Sequence, residues 1–250
     1  MARRILIRSD DLGYSEGVNC GIAKAVKDGV VRSVGIMPNM PWVQHGLELL
    51  KDGKVCYGQH TNICVGKPVS NPKDIPSLVL ENGEFKPGSA YRSTIEDFVK
   101  LEEVQIEIEA QYHRFVELTG RQPAYFEGHA VRSENFFKGL RAVAKKYGLP
   151  YLKIPERGET EWKGTRLIVP GEYRNKDYNP LEMLKRVSTA AYGEKECPMV
   201  IFHAGYLDEY ILTHSSLLRQ RPMEVEACCS PELKRWFAEH DVEIITYNDL

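Results

Sequence analysis

The sequence predicts an α/β fold in which about seven mostly parallel strands form an irregular (β/α) barrel, as a single domain over residues 1–250. Three observations support this prediction. Short apolar runs alternate with amphipathic segments along the whole chain. A length of 250 residues suits one α/β barrel. The chain also lacks the G-x-G-x-x-G motif of a dinucleotide-binding doubly wound sheet.

The first strand is predicted around residues 5–7, a β-rich apolar run that is too short for a helix. Asp10 and Asp11 follow it, and Gly13 gives the backbone freedom to turn before the helix that Ser15 caps. In an extended strand, adjacent side chains point to opposite faces. Both carboxylates therefore reach one site only if the chain bends between them, and we expect them to have different roles.

The remaining elements follow the same alternation. Further strands are predicted at residues 30–37, 55–63, 124–129, 151–154, 166–169, 199–203 and 242–246. Helices are predicted after Ser15, in a stretch that contains Val18, Ile22, Ala25 and Val26, and at residues 42–50, 93–119, 134–147, from 180 onward, and 231–240. A capping box over residues 93–96 marks the expected start of the longest helix. Residues 64–92 are rich in Pro and Gly and are expected to form a lid loop, whereas 155–179 is irregular and 205–229 has no clear pattern.

The composition excludes several classes of protein. A formal net charge of −2 and the lack of a basic stripe argue against a nucleic-acid partner. Six cysteines without C-x-x-C spacing indicate reduced thiols, and no apolar segment resembles a signal peptide or a membrane span. We therefore expect a cytoplasmic protein with no membrane partner. The oligomeric state stays open, with a homodimer among the alternatives.

Acidic and histidine side chains end four of the predicted strands. They are the Asp10/Asp11 pair, His60, His129 and His203. The carboxyl ends of parallel barrel strands share one rim, where active sites are built. Each residue alone could be an ordinary hydrogen-bonded turn residue. As a set they indicate a hydrolytic metal site, since a carboxylate with two imidazoles suits zinc and, with open water positions, also magnesium.

Several motifs resemble one known family. They are residues 9–13 with 17–19, 37–41, 58–62, 75–78, 82–85, 203–206 with Asp208, and Arg221 followed by Glu224. With these motifs the chain resembles the YdjC-like carbohydrate deacetylases, also called chitooligosaccharide deacetylases and related to polysaccharide deacetylases. The resemblance covers nearly the whole length, and the motifs are specific in combination.

The resemblance implies a role for each rim residue. One divalent metal ion, Mg²⁺ or Zn²⁺, is expected on Asp11, His60 and His129. Asp10 is expected to act as general base, and His203 to act in catalysis, where it would protonate the departing amine.

The same motifs suggest contacts with the substrate. The residues predicted to make them are Asn62, Arg132, Tyr206 and Asp208. The chain departs from the family at residues 128–132, where many members have a histidine-rich cluster, and at Ala204, where many have proline. His129 is then the only ligand that the first of these segments can offer.

The sequence thus predicts a metal-dependent hydrolase that removes an N-acetyl group from an amino sugar or a short chitooligosaccharide. Tyr14, Trp42, Tyr91 and Tyr206 could stack on sugar rings or be core residues, and core packing is the favoured interpretation for Trp42. One alternative is another metal hydrolase on this barrel, a phosphoesterase or an amidohydrolase, although the first strand lacks the H-x-H pair of most amidohydrolases. The other alternative is a sugar-binding relative without activity.

Overall fold

A curled, mostly parallel sheet forms the centre of the computed structural model, which describes residues 3–171 and 176–250. The strands are β1 (Arg3–Leu12), β2 (Ser33–Ile36), β3 (Cys56–Thr61), β4 (Phe126–Gly128), β5 (Glu159–Trp162), β6 (Thr165–Ile168), β7 (Glu196–Phe202) and β8 (Val242–Ile245). They lie in the order β4-β3-β2-β1-β7-β6-β5, and β8 also pairs with β1. Only β5 with β6 is antiparallel among these pairs in the described residues. The predicted irregular, mostly parallel barrel is confirmed.

Helices cover the outside of the sheet. They are α1 (Glu16–Lys27), α2 (Val43–Leu50), α3 (Gly88–Ser93), α4 (Leu101–Thr119), α5 (Glu134–Tyr147), α6 (Pro180–Thr189), α7 (Glu209–His214), α8 (Gln220–Cys229) and α9 (Pro231–Glu239). The cap predicted at Ser15 is present, and a glycine ends the longest helix. Ser15 accepts a hydrogen bond from Val18 N at the start of α1, and Gly120 ends α4 in the left-handed conformation.

Side chains of β1 alternate between two apolar layers. Ile5 and Ile7 pack in the core that α1 and its neighbouring helices cover. Leu6 points the other way, into the barrel interior, where it packs with Tyr125 and Met199. Arg8 and Asp10 continue this inward face because side chains two residues apart share a side of the strand. The polar end of the interior face therefore lies directly above an apolar layer.

The connection over residues 64–92 is anchored to α4 by buried carboxylates. Glu107 is fully buried and accepts hydrogen bonds from the backbone N–H groups of Val69 (3.0 Å) and Ser70 (2.9 Å). Glu103 accepts another from Ser77 N at 2.6 Å. These bonds satisfy backbone donors that no sheet or helix engages. That this connection acts as a lid stays a prediction.

The predicted start of the longest helix is wrong. Ser93 ends the short helix α3, and its hydroxyl donates to Ala90 O, so it caps nothing downstream. Asp97 accepts hydrogen bonds from Ser133 Oγ (2.9 Å) and Asn135 N (3.0 Å) at the start of α5. This tertiary contact holds the segment out of a helix, and α4 begins only at Leu101.

One further prediction is wrong, and the structure adds detail to two other segments. The strand expected at 151–154 is reduced to one bridge between Tyr151 and Phe126. The strand expected at 166–169 is present as β6, but it forms a hairpin with β5 through Lys163 and Gly164, both with positive φ as a tight hairpin turn requires. The unassigned stretch 205–229 contains α7 and α8. Residues 172–175 of the stretch expected to be irregular lie outside the described residues.

Among the described residues, no helix has both the length and the apolar character needed to cross a membrane. All six cysteines are unpaired thiols.

Candidate metal centre and active site

The bend that the sequence requires between the two aspartates is a bulge in β1. Ser9 pairs with Val34 and Leu12 pairs with Ile36, so two residues of β1 lie opposite one residue of β2. Asp11 has φ 78°, in the left-handed region that few residues other than glycine adopt. The bulge turns the Asp11 carboxylate toward the ends of β3 and β4.

Asp11, His60 and His129 converge at the carboxyl ends of three strands. The Asp11 Oδ1 atom lies 3.3 Å from His60 Nε2 and 3.2 Å from His129 Nδ1, and the two nitrogen atoms are 2.8 Å apart. Ligands held about 2.0–2.1 Å from a tetrahedral zinc ion lie roughly 3.3 Å from one another. The three atoms are therefore close to the spacing of a ligand set, and we call these residues the ligand triad.

Besides the spacing of the triad atoms, the bonding of the Asp11 carboxylate also suits a bound cation. Asp11 Oδ1 is buried and has no hydrogen-bond partner, and such an atom is costly unless a positive group satisfies it. The other oxygen, Oδ2, accepts a hydrogen bond from Arg221 Nη2 at 2.8 Å. Burial opposes ionisation of Asp11, but Arg221 and His129 outweigh it and hold its pKa well below the usual value. The carboxylate is therefore ionised and offers one free oxygen to the triad.

Glu127 on β4 fixes the orientation of His60. Its carboxylate receives a very short hydrogen bond from His60 Nδ1. With the proton on Nδ1, His60 Nε2 presents its lone pair to the triad, which is the form a metal ligand needs. Burial raises the pKa of Glu127, but the charges of His60 and Arg8 outweigh that effect and leave its pKa below the usual value.

Without a metal ion, the neighbouring side chains favour the protonated form of His60 and of His129. Burial alone would lower the pKa of each imidazole, but the carboxylate neighbours dominate. The pKa of His60 is raised well above its usual value by Glu127 and Asp10, and that of His129 is raised to about 9 by Asp11. A metal ion must displace these protons, so its affinity is expected to rise with pH.

Asp10 lies below the triad in a buried charged layer. Its Oδ2 atom accepts a hydrogen bond from Arg8 Nη2 at 2.8 Å, and Arg8 also approaches Glu127 Oε2 at 3.5 Å. Gly35 makes room for the carboxylate, because a Cβ there would lie 2.4 Å from Asp10 Oδ1. That oxygen is buried without a hydrogen-bond partner. Burial, partly offset by Arg8 and His60, raises the pKa of Asp10 to about 6, which suits a general base near neutral pH.

His203 is the first residue after β7 and lies on the other side of β1 from β3 and β4. Burial lowers the pKa of its imidazole to about 3, so the ring is neutral near pH 7. Its backbone N–H donates to Glu224 Oε2 at 2.6 Å, and its carbonyl oxygen accepts from Arg221 Nη1 at 3.2 Å. Both partners come from α8, and each is 1% exposed.

Two of the residues predicted to contact substrate have their side chains engaged within the protein. Asn62 is fully buried, and its amide nitrogen donates to Asn39 Oδ1 (3.0 Å) and Val65 O (2.7 Å). Asp208 accepts hydrogen bonds from Gly17 N (2.7 Å) and Ile211 N (2.9 Å), so it caps α7. Their contact with substrate stays a prediction.

The other two such residues are more open to solvent. Arg132 is exposed on the segment after His129, and Tyr206 is half-buried with its backbone N–H bonded to Gly17 O. Burial raises the pKa of the Tyr206 phenol. Among the neighbouring charges, Lys24 of α1 lowers this pKa and Glu226 of α8 raises it. Substrate contact by Arg132 and Tyr206 stays a prediction as well.

Aromatic residues line one side of the triad. The Tyr14 ring meets His129 edge-on at 6.1 Å between centroids and Tyr210 at 6.2 Å, and Trp42 lies 4.6 Å from Tyr210. Trp42 and Tyr210 are half-buried, whereas Tyr91 is 7% exposed and packs in the core below residues 64–92.

Sequence reasoning missed the roles of Arg8 and Glu127. The signal was available, because Arg8 precedes Asp10 by two residues and Glu127 precedes His129 by two, and a strand places such pairs on one face. Arg221 and Glu224 were part of a recognised motif but had no assigned role. Their spacing of three residues puts them on one face of a helix.

Comparison with known proteins gives one matching family model and several relatives that are named as deacetylases. The family model described as YdjC-like protein matches residues 4–239. Carbohydrate deacetylase 2 of Listeria innocua is 32% identical over 99% of this chain and 98% of its own length. Carbohydrate deacetylase of Geobacillus stearothermophilus is 31% identical over 100% and 98%, and chitooligosaccharide deacetylase of Proteus mirabilis is 26% identical over 100% of both chains.

Solved structures share the fold. A crystal structure from Enterococcus faecalis, of a protein named for cellobiose-phosphate cleavage, superposes with a TM-score of 0.82 at 24% identity, over 100% of this chain and 99% of that one. A family 4 carbohydrate esterase from Streptomyces lividans, in complex with acetate, has a TM-score of 0.54 at 11% identity, over 96% and 90%. At these identities the likeness concerns the fold alone.

Proposed function

This chain belongs to the YdjC-like protein family, and we propose from that premise that it is a metal-dependent hydrolase that removes an N-acetyl group from an amino sugar or a short chitooligosaccharide. Deacetylation of carbohydrates is the activity for which its curated relatives are named. One observation carries the metal dependence. The buried, unpartnered Oδ1 of Asp11 faces His60 Nε2 and His129 Nδ1, at 3.3 and 3.2 Å.

The ligand triad would hold one divalent metal ion, Zn²⁺ or Mg²⁺. Two imidazoles and one carboxylate oxygen suit zinc, whereas oxygen ligands and water would suit magnesium. When bound, such an ion lowers the pKa of water and polarises an acyl carbonyl. Glu127 keeps His60 in the ligating tautomer, and Arg221 occupies the Asp11 oxygen that faces away from the triad.

Asp10 is assigned the role of general base that takes the proton of the attacking water. Arg8 holds one of its oxygens and leaves the other without a partner, and its raised pKa makes it a stronger base than an exposed aspartate. Because Asp10 is 1% exposed, the water must reach it from the triad side.

His203 is assigned the protonation of the departing amine, which is a far better leaving group than an amide anion. Its imidazole is neutral before reaction, so it must first receive a proton within the site. The proton that Asp10 takes from the water, passed on to His203, would balance this step. The predicted substrate residues Asn62, Arg132, Tyr206 and Asp208 would then bind the sugar outside this group.

Acetate release from N-acetylglucosamine and diacetylchitobiose is the test. Metal-replete protein is expected to release acetate, and the same protein treated with chelator is expected to release none. Acetate release that is indifferent to the chelator would refute the metal dependence. No release from either sugar by metal-bound protein would refute the deacetylase and favour another hydrolase, such as a phosphoesterase.

The Asp10→Asn variant tests the assignment of the base. It should lower kcat by about 10²–10⁴-fold, the usual contribution of a general base, while zinc binding by titration calorimetry stays near the wild-type value. Asp28→Asn, at an exposed acid on the far end of α1, is the matched control and should change neither quantity. An Asp10→Asn variant with wild-type kcat would remove Asp10 from the base role.

The expected cellular location and oligomeric state belong to the same proposal. A cytoplasmic location is supported by six unpaired cysteines, which suit a reducing compartment. A homodimer stays an open prediction.

A further inference from the structure

The backbone of His203 lies beyond the end of the sheet. Phe202 is the last residue of β7 and pairs with Ser9 of β1, the residue just before the bulge. Past this pair, β1 turns its chain toward β3 and β4. The N–H and carbonyl groups of the His203 peptide therefore have no partner strand among the described residues, and buried backbone groups need other partners.

Helix α8 supplies those partners. Glu224 Oε2 accepts the His203 N–H at 2.6 Å, and Arg221 Nη1 donates to the His203 carbonyl oxygen at 3.2 Å. The peptide group that joins His203 to Ala204 is held at its other end as well, because Ala204 N donates to Ser9 Oγ at 3.0 Å. Each contact is of hydrogen-bond length, and those made by the guanidinium of Arg221 are of the stronger, charge-assisted kind.

Arg221 also reaches across the gap that the bulge opens. Its Nη2 donates to Asp11 Oδ2 at 2.8 Å, while Nη1 holds the carbonyl oxygen of His203 and Nε donates to Leu217 O at 2.9 Å. One rigid, planar guanidinium thus joins a triad carboxylate to the backbone of His203.

We propose that Arg221 and Glu224 are positioning residues, which set the separation and orientation of the His203 imidazole relative to the Asp11 carboxylate. The proposal rests on the proposed function for its catalytic meaning. Neither residue contacts the reacting atoms. Both act through His203, and Arg221 also acts through Asp11.

Stability alone does not account for this arrangement. Both side chains are about 1% exposed, and a buried ion pair such as that of Arg221 with Asp11 can often be replaced by apolar residues without loss of stability. What an apolar pair could not do is bond both sides of the His203 peptide and the Asp11 carboxylate together. Tyr178 helps to fix the Glu224 carboxylate, since its hydroxyl donates to Glu224 Oε1 at 2.9 Å.

The decisive comparison is between two variants of Glu224. Glu224→Ala removes the acceptor of the His203 N–H. Glu224→Gln keeps one oxygen for that N–H and turns its amide toward the Tyr178 oxygen. Val225→Ala on the same helix is the matched control, because Val225 is fully buried in the apolar core that α1 covers.

Two readouts are measured on zinc-loaded protein. The first is the kinetics of acetate release. Glu224→Ala should lower kcat by about 10–100-fold with little change in KM, as small misplacements of catalytic groups do, and Glu224→Gln should recover most of the loss. Val225→Ala should lower the Tm and leave kcat unchanged.

The second readout is independent of activity. Ring nitrogen signals of the histidines are recorded by NMR, with His203→Gln used to assign the His203 signals. Glu224→Ala should shift or split the His203 signals while those of His60 and His129 hold their positions, and Glu224→Gln should restore them.

Arg221→Lys covers the case in which Glu224→Ala does not fold. It keeps the positive charge beside Asp11, but an ammonium cannot hold Asp11 and His203 in the geometry of a guanidinium fork. It should displace the His203 ring signals and lower kcat.

Unchanged His203 signals in Glu224→Ala and Arg221→Lys would overturn the proposal, and so would an equal kcat loss in Val225→Ala. If the wild-type protein releases no acetate, the proposed function fails, and the ring signals still decide whether α8 positions His203.

Discussion

The two sides of the candidate site are built in different ways. On one side, Asp11, His60 and His129 stand on or directly after strands β1, β3 and β4, and the pairing of these strands brings their side chains together. On the other side, His203 lies past the end of β7, and two side chains from α8 hold its peptide. Under the proposed function, metal binding is thus the task of the sheet, whereas placement of the His203 imidazole depends on a helix.

This difference has a physical consequence. Strand pairing is distributed over many backbone hydrogen bonds. A single substitution outside the ligand triad is therefore expected to move the triad side chains little. The His203 side depends on a few buried charged contacts, where each loss leaves a polar group unsatisfied. Substitutions should therefore separate metal binding from turnover, depending on the side that they affect.

The largest effect is expected from Asp11→Ala. This substitution removes a residue of the ligand triad and also the partner of Arg221 on α8. Zinc affinity should fall by more than the roughly 100-fold that follows loss of an outer partner of a metal ligand. The free energy of unfolding should also fall by about 3–5 kcal/mol, because Arg221 is left buried without its carboxylate. Titration calorimetry and urea denaturation measure the two quantities.

The double variant Asp11→Ala/Arg221→Met is the control for this prediction. It removes the unpaired charge and should regain much of the stability without regaining zinc binding. Zinc affinity that survives in either variant would show that Asp11 is not a ligand.

A smaller effect is expected from Glu127→Gln, which affects the sheet side alone. Its amide can donate to His60 Nδ1 and so favour the tautomer whose proton sits on Nε2, the atom that faces the triad. Zinc affinity should fall by about 10–100-fold, with the His203 ring signals unchanged. Glu161→Gln, at an exposed acid of β5, is the control and should leave zinc affinity unchanged. A shift of the His203 signals in Glu127→Gln would mean that the two sides are not separable.

Gly35→Ala should affect turnover more than metal binding. The added Cβ would meet Asp10 Oδ1 at 2.4 Å and His60 Cβ at 3.2 Å, so the Asp10 carboxylate must move. We expect a roughly 10-fold or greater loss of kcat and about 1–3 kcal/mol of stability. Gly171→Ala, where a Cβ meets no atom of the described residues within 4 Å, should change neither. A Gly35→Ala variant with full kcat would weaken the assignment of Asp10 as base.

The smallest effect on the site is expected from Glu107→Ala, which removes one of the two carboxylates that anchor the connection over residues 64–92 to α4. Val69 N and Ser70 N lose their acceptor, so unfolding should become about 1–3 kcal/mol easier, while zinc affinity stays the same. Glu109→Ala on the same helix removes a more exposed ion pair with Lys146 and should cost about 0–1 kcal/mol. A drop in zinc affinity in Glu107→Ala would make this connection part of the triad's support.

The sequence predicts the barrel and its rim well because both depend on local patterns. Apolar runs of strand length identify the parallel sheet, and Asp or His at the end of a run identifies a rim position. Strand alternation also leads to the expectation that the two aspartates have separate roles, which stays a prediction. The structure adds that the bend begins at Asp11 itself, with a positive φ at Gly13 as well.

The errors come from tertiary contacts that local patterns do not contain. The capping box at Ser93 is a sound local signal, but Asp97 is engaged by the start of α5 and prevents a helix there. α8 has the opposite difficulty. Its inner face carries Arg221 and Glu224, so the apolar stripe that reveals a buried helix is interrupted by the charged residues that matter most.

The left-handed backbone of Asp11 restricts which amino acids this position can accept over evolutionary time. Asparagine and aspartate tolerate that conformation better than other side chains of their length, and glycine tolerates it best. Glycine provides no ligand, asparagine provides no charge to balance Arg221, and glutamate, which carries the charge, is longer and lacks this conformational tolerance. The backbone and the chemistry therefore select the same residue for independent reasons, and neutral drift has almost no alternative to sample at position 11.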